Sequence, residues 1–125
     1  MEIREATTGD ERAIKALIAL FPDELVQDHL PNTDSFFVAE ENGKVIGCCA
    51  LEVYSPKIAE VRSLAIAKEW QGKGIAKRLV EKCVERAKEM GVYQVLAITG
   101  NPTFFDKFGF HTFNQEKYAV FTYLR

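Results

Sequence analysis

Two strand-like runs joined by Asn42-Gly43 constrain the fold of this chain more than any other feature. Ser35–Glu41 and Lys44–Tyr54 are rich in apolar and β-branched residues, and Asn-Gly is the strongest short-range signal for a two-residue hairpin. Ser55-Pro56 turns the chain again, and Ile58–Ile66 predicts a third consecutive strand. An antiparallel sheet is therefore expected at the centre of the fold, which argues against a doubly wound parallel sheet.

The segment before these strands is predicted to hold one strand and two helices. Glu2–Ala6 reads as a first strand, and Thr8 with Glu11 forms a capping box for a helix that Pro22 ends. A second short helix is predicted over Asp23–His29. The first half of the sheet would thus be flanked by two helices.

The segment after these strands repeats the alternation of strand and helix. The longest helix is predicted from about Gly74 to Met90, where apolar residues form one broad stripe at helical spacing. Further elements follow in chain order: a strand at Val92–Thr99, a short helix from Pro102 through Lys107, and a closing hairpin of Phe110–Asn114 and Tyr118–Leu124. We expect a mixed α/β (α+β) fold with a mostly antiparallel sheet of six to seven strands, a parallel pair of the fourth and fifth strands, and about four helices.

Length and composition indicate one globular domain over residues 1–125. The longest apolar stretch, Val45–Leu51, is far shorter than the ~20 residues of a membrane span, and no signal peptide is recognised at the N-terminus. The net charge of −2 argues against nucleic-acid binding by bulk charge. The three cysteines, Cys48, Cys49 and Cys83, suit neither a disulfide framework nor a zinc site. We therefore expect a cytoplasmic protein with no metal, no membrane partner and no nucleic-acid partner.

The most informative segment for function is a glycine-containing loop between the third of these strands and the longest helix. Glycines let a backbone approach a ligand closely, and the N–H groups of a helix start attract phosphate. Basic side chains surround this point, since residues 61–125 carry eleven Lys/Arg against six Asp/Glu. The residue pattern lacks the Ser/Thr of a Walker A loop, and Lys77 stands where a dinucleotide fingerprint has its third small residue. The loop reads Gln71-Gly72-Lys73-Gly74-Ile75-Ala76.

This loop resembles the [Q/R]-x-x-G-x-[G/A] signature of the GNAT family of acetyl-coenzyme A-dependent N-acetyltransferases. The predicted order of elements is similar to that family's topology over nearly the whole chain, and Phe105–Phe110 resembles its Y-x-K-x-G-F segment. The resemblance implies acetyl-CoA as co-substrate and acetyl transfer to an amine. It also implies that coenzyme contacts come from the fourth strand, the loop and the region after the fifth strand; these residues are Leu64, Ala65, Ile66, Gln71, Gly72, Lys73, Gly74, Ile75, Ala76, Lys77, Asn101 and Phe105.

Glu60 is the catalytic candidate that the resemblance implies. It stands six residues before Ile66, where GNAT histone acetyltransferases place a glutamate that acts as general base. Strand alternation predicts that Glu60, Arg62, Leu64 and Ile66 share one face. Two alternatives stay open for Glu60: an ion pair with Arg62, and substrate binding without proton transfer.

Phe105 departs from the family pattern, because many members have a tyrosine there that protonates the coenzyme thiolate. Water, Tyr54 or Tyr118 are the alternative proton donors, and a reaction without an acid is another. Asn101 either contacts the coenzyme or only caps the following helix.

Two features of the sequence favour different acceptor amines. The chain looks similar to the amino-acid acetyltransferase branch, which includes N-acetylglutamate synthases, in Phe104-Phe105 and in the run from Glu60 to Ala65. That branch has phenylalanine at the position of Phe105. Arg62 could then bind a substrate carboxylate. Residues 1–60, in contrast, carry twelve acidic and five basic side chains, which favour a cationic amine such as a polyamine, an aminoglycoside or a peptide. A small amine, with a free amino acid preferred, is the expected acceptor; a non-catalytic acetyl-CoA-binding module and a homodimer stay open.

Overall fold

The computed structural model describes residues 1–112 and 120–124. The strands are β1 (Glu2–Glu5), β2 (Phe36–Glu41), β3 (Lys44–Val53), β4 (Ile58–Ile66) and β5 (Gln94–Leu96). The helices are α1 (Glu11–Ile18), α2 (Ile75–Glu89) and α3 (Pro102–Phe105), with 3-10 turns at Thr8–Asp10, Thr33–Ser35, Lys68–Trp70 and Asp106–Phe108. No helix in the described ranges has the length and apolarity needed to cross a bilayer.

The strands form one sheet in the order β1-β2-β3-β4-β5. The first three pairings are antiparallel and the β4–β5 pairing is parallel, which confirms the predicted mixed sheet and its parallel pair. The described residues hold five strands and three α-helices, fewer than the six to seven strands and about four helices expected. Part of the predicted C-terminal hairpin, residues 113–119, lies outside the described residues, and residues 110–112 and 120–124 carry no strand.

The predicted second helix over Asp23–His29 is wrong, because this segment is a series of turns. The side-chain amide of Gln27 donates to the carbonyl oxygens of Ile18, Phe21 and Leu25 at 3.0 to 3.3 Å. The carbonyls of Ile18 and Phe21 also accept turn hydrogen bonds from backbone N–H groups, so the Gln27 amide adds to these turns and fastens the segment to the end of α1. The segment instead folds back beside α1.

The two long helices cover opposite faces of the sheet. Arg86 of α2 lies 4.1 Å above the ring centre of Phe37, so Phe37 marks the α2 face. Phe36, which precedes Phe37, points to the opposite face of the sheet and lines a cavity with Ile14 of α1. The core between sheet and helices contains buried aliphatic residues and all three cysteine thiols. Burial raises the pKa of the Cys48 thiol to about 12, which suits a small core residue and not a nucleophile.

Arg4 ties β1 to β2 and to the start of α1. Its guanidinium binds both carboxylate oxygens of Asp10, at 2.8 and 3.0 Å, and donates to Glu40 at 2.7 Å. Asp10 also accepts a hydrogen bond from the Thr7 backbone N–H at 2.7 Å. The capping box is therefore Thr7 with Asp10, one residue earlier than the predicted Thr8 and Glu11. The Arg4 guanidinium lowers the pKa of Asp10 to about 2.

This network predicts a loss of stability in acid. Because the pKa of Asp10 is lower in the folded chain than the usual 3.8, the stabilisation is present above about pH 4 and disappears as the pH falls toward 2. We expect Asp10 to contribute about 2 kcal/mol to the free energy of unfolding at neutral pH. Urea unfolding between pH 6 and pH 2 measures this. Asp10→Asn should flatten the pH dependence, and an equally steep decline in that variant would contradict the assignment.

Candidate active site

The strand β4 separates from β5 after its first three residues. The two strands pair only between Ile58–Glu60 and Gln94–Leu96, so from Val61 onward β4 pairs with β3 alone within the described chain. The Ala67 N–H donates to the Ile46 carbonyl of β3, at 2.9 Å. Because backbone groups alternate in direction along a strand, those of Leu64 and Ile66 point away from β3, toward the open edge.

A β-bulge at Ser63 divides β4 into two parts with different side-chain directions. Ala50 of β3 faces Arg62, whereas Cys48, two residues away, faces Ala65, so β4 contains one extra residue. Ser63 adopts a φ of 58°, the left-handed conformation that such a bulge can require.

The bulge corrects the prediction that four alternating residues of β4 share a face. Phe36, Ala50 and Arg62 are register partners across the sheet, so Arg62 and Glu60 lie on the α1 face. Ile66 is paired with Gly47, where a Cβ would lie 3.3 Å from Leu79 of α2. Leu64 and Ile66 therefore face α2.

The loop between β4 and α2 presents a row of backbone donors. Within the described chain, the N–H groups of residues 72–77 have no backbone acceptor. Gly72 and Gly74 have φ values of 76° and 81°, conformations that residues with a Cβ rarely adopt. The side chain of Gln71 donates to the Ile66 carbonyl at 2.9 Å and so fastens the loop to the end of β4. Free N–H groups at a helix start form an anion site.

A groove of about 530 Å³ connects the open edge of β4 with this loop. Most of the predicted coenzyme residues line it: Leu64, Ala65, Ile66, Gln71, Gly72, Gly74, Ile75, Ala76 and Lys77. Three predicted residues are not among the lining residues. Lys73 lies in the loop itself, and Asn101 is exposed at the start of α3 without a side-chain cap hydrogen bond. Phe105 is 7% exposed and packs in the core.

Sequence reasoning missed several residues that line the groove. Phe104 and Lys107 come from the segment that contains Phe105, and a plain helical projection of that segment could have placed them on its other side. Phe104 meets Phe105 edge-on, with 5.1 Å between ring centres. Trp70 precedes the signature, and Phe21 comes directly before the Pro22 expected to end the first helix. Glu24 and Leu25 belong to the segment wrongly predicted as a second helix.

Beyond the groove, on the α1 face, the structure brings together four polar side chains. Tyr54 donates its hydroxyl hydrogen to Glu60, and Arg62 pairs with Glu52 at 2.9 Å. Arg62 also donates to the His29 carbonyl at 3.3 Å. The predicted alternative of a Glu60–Arg62 ion pair is therefore wrong, since each has another partner.

The same four residues create a negative environment. Burial raises the pKa of Tyr54 to about 12, helped by its hydrogen bond to Glu60 and by the charges of Glu60 and Glu52, with Arg62 opposing them. A phenol held neutral in this way can still donate a hydrogen bond. Two tyrosines are candidate proton donors for the coenzyme thiolate. The Tyr54 hydroxyl donates its hydrogen bond to Glu60, and Tyr118 lies outside the described residues.

Comparison with known proteins agrees with this architecture. The Acetyltransferase (GNAT) domain family matches residues 32–112. An uncharacterized N-acetyltransferase of Chlorobaculum tepidum is 37% identical over 120 residues, 91% of this chain and 77% of that protein. The amino-acid acetyltransferase of Mycobacterium tuberculosis is 30% identical over 86% of this chain and 67% of its own length.

Solved structures give the same result. Rv2747 from Mycobacterium tuberculosis, in complex with CoA and NLQ, superposes with a TM-score of 0.82 at 30% identity over 87% of this chain and 70% of that chain. The N-acetylglutamate synthase of Neisseria gonorrhoeae, complexed with coenzyme A and N-acetyl-glutamate, gives 0.81 at 25% identity over 94% of this chain, which spans 30% of that protein. This chain therefore belongs to the GNAT family of N-acetyltransferases.

Proposed function

We propose that this protein transfers the acetyl group of acetyl-CoA to the primary amine of a small molecule, with a free amino acid as the acceptor, within a single domain over residues 1–125. The observation that carries the proposal is the row of N–H groups at residues 72–77, which have no backbone acceptor among the described residues and lie beside the open edge of β4. The similarity to amino-acid acetyltransferases supports this acceptor class.

The groove fits a pyrophosphate-bearing thioester. The N–H groups of residues 72–77 would bind the pyrophosphate, helped by the positive end of α2 and by Lys77. The amide groups of the coenzyme arm would bond to the open edge of β4 at Leu64 and Ile66. The Gln71 side chain already donates to the Ile66 carbonyl, so the backbone N–H groups of Leu64 and Ile66 are the groups available to the coenzyme arm. An N–H placed at the acetyl oxygen would stabilise the developing negative charge by about 3 kcal/mol.

Glu60 would act as the general base, directly or through one water. It lies where β4 and β5 part, and Tyr54 fixes the orientation of its carboxylate. The amine nitrogen forms a bond to the acetyl carbon while the carbon–sulfur bond breaks. The amine loses a proton to Glu60, and the thiolate leaves and takes a proton from water. Arg62 would bind the acceptor carboxylate with the donors that Glu52 and His29 leave free.

The test is thiol release from acetyl-CoA with twenty amino acids, common polyamines, an aminoglycoside and a lysine peptide. We expect release with at least one free amino acid, and the acetylated product should appear in the mass spectrum in equal amount. Release with polyamines or peptides alone would overturn the amino-acid acceptor. Thermal stabilisation by acetyl-CoA without release from any amine would overturn catalysis and leave a coenzyme-binding module.

A further inference from the structure

The charge on Arg62 is largely neutralised before any substrate arrives. Its Nη1 atom lies 2.9 Å from a Glu52 carboxylate oxygen, and its Nη2 atom donates to the His29 carbonyl. Arg62 and Glu52 are both half-buried, with side chains 20% and 30% exposed, which strengthens their interaction relative to a fully exposed pair. A guanidinium has five N–H donors, so three stay free for one further carboxylate.

Two glutamates share the face of the sheet that carries Arg62. Glu52 and Glu60 are directly opposite each other on β3 and β4, and both lie on the face that carries Arg62. Among the described residues, the charges that act on the Tyr54 phenol are those of these two glutamates and Arg62. On this face two carboxylates therefore stand against one cation.

This balance suits an acceptor with at most one carboxylate. An α-carboxylate can use the free donors of Arg62, but a side-chain carboxylate would meet Glu52 or Glu60 without a cation of its own. Like charges placed together in a partly buried site are strongly unfavourable. An amide or an ammonium in the same place would instead find acceptors.

We propose that Glu52 is a specificity-determining residue, which occupies Arg62 and directs the enzyme to amino acids with neutral or cationic side chains rather than dicarboxylic ones. The inference rests on the proposed function, since it concerns the acceptor of that same reaction. Glu52 does not touch the reacting atoms; it acts by setting the net charge around Arg62.

The experiment compares kcat/KM for two pairs of acceptors of equal shape, L-glutamine with L-glutamate and L-asparagine with L-aspartate. In the wild-type enzyme we expect the amide to be preferred to the acid by about tenfold or more in the better-used pair. Glu52→Gln removes one negative charge and frees Arg62, and should lower this ratio about tenfold. Glu52→Asp keeps the charge and should restore the preference. Glu89→Gln, at the exposed end of α2, should leave the ratio at its wild-type value.

The outcomes separate this inference from the proposed function. Absence of thiol release with any amine contradicts the proposed function as a whole. If the wild-type enzyme turns over but prefers the acid to the amide, the role of Glu52 is overturned and the proposed function is not. This ratio is measured on the wild-type enzyme, so it decides the question even where a Glu52 variant is unstable. A ratio that does not move in a Glu52→Gln protein with wild-type melting temperature also overturns it.

Discussion

Replacing Gly74 with aspartate is expected to raise the dissociation constant for acetyl-CoA at least 100-fold, or about 3 kcal/mol. Two effects combine. Gly74 has a φ of 81°, which costs a residue with a Cβ about 1–2 kcal/mol. The new carboxylate would also lie within the row of free N–H groups and repel the pyrophosphate. Isothermal titration with acetyl-CoA measures the change.

Two variants separate these effects. Gly74→Asn introduces the same shape without charge, and asparagine tolerates left-handed backbone, so we expect a smaller loss of affinity. Gly43→Asp places the same side chain at a φ of 78° in the turn between β2 and β3, where a Cβ also meets no other atom. It should leave coenzyme affinity unchanged. Equal losses in Gly74→Asp and Gly43→Asp would show that the loop has no special role in binding.

Replacing Glu60 with glutamine is expected to lower kcat by about 10²–10⁴-fold, the usual contribution of a general base. Affinity for acetyl-CoA should stay at the wild-type value, because Glu60 does not line the groove that would hold the coenzyme. Initial rates of thiol release, together with titration of the coenzyme, measure both quantities.

Glu81→Gln, on the exposed side of α2, is the matched control and should behave as wild type. A Glu60→Gln enzyme that keeps the wild-type kcat would assign Glu60 to substrate binding or to structure. A parallel loss of kcat and of coenzyme affinity would indicate that the tip of β4 had been distorted, and would also contradict a role in proton transfer.

Local signals in the sequence were sufficient for most of the sheet and for the glycine-containing loop before α2. The Asn42-Gly43 hairpin lies where predicted, and Ile58–Ile66 matches β4 at both ends. The loop from Gln71 has the positive-φ glycines and free N–H groups that its composition indicates, because glycine conformation and helix starts depend on neighbouring residues.

Features that depend on distant partners could not be predicted. The bulge at Ser63 arises from the register of β4 against β3, and it reversed the predicted direction of Leu64 and Ile66. The partners of Arg62 are ten and thirty-three residues away, so no spacing rule identifies them. The expected second helix is a series of turns, in which the Gln27 side chain donates to three carbonyl oxygens. In the first two cases long-range contacts outweighed local preference, and in the third case side-chain contacts to carbonyl groups two to nine residues away did so.

Amide chemical shifts in ¹H–¹⁵N spectra are the most direct test of whether the backbone of residues 72–77 binds the pyrophosphate of acetyl-CoA. On titration with coenzyme A, we predict large, saturable shifts for these six amides, and no comparable shifts with pantetheine, which lacks the pyrophosphate. Saturable binding of coenzyme A that leaves these six amide shifts unchanged would show that the pyrophosphate binds elsewhere.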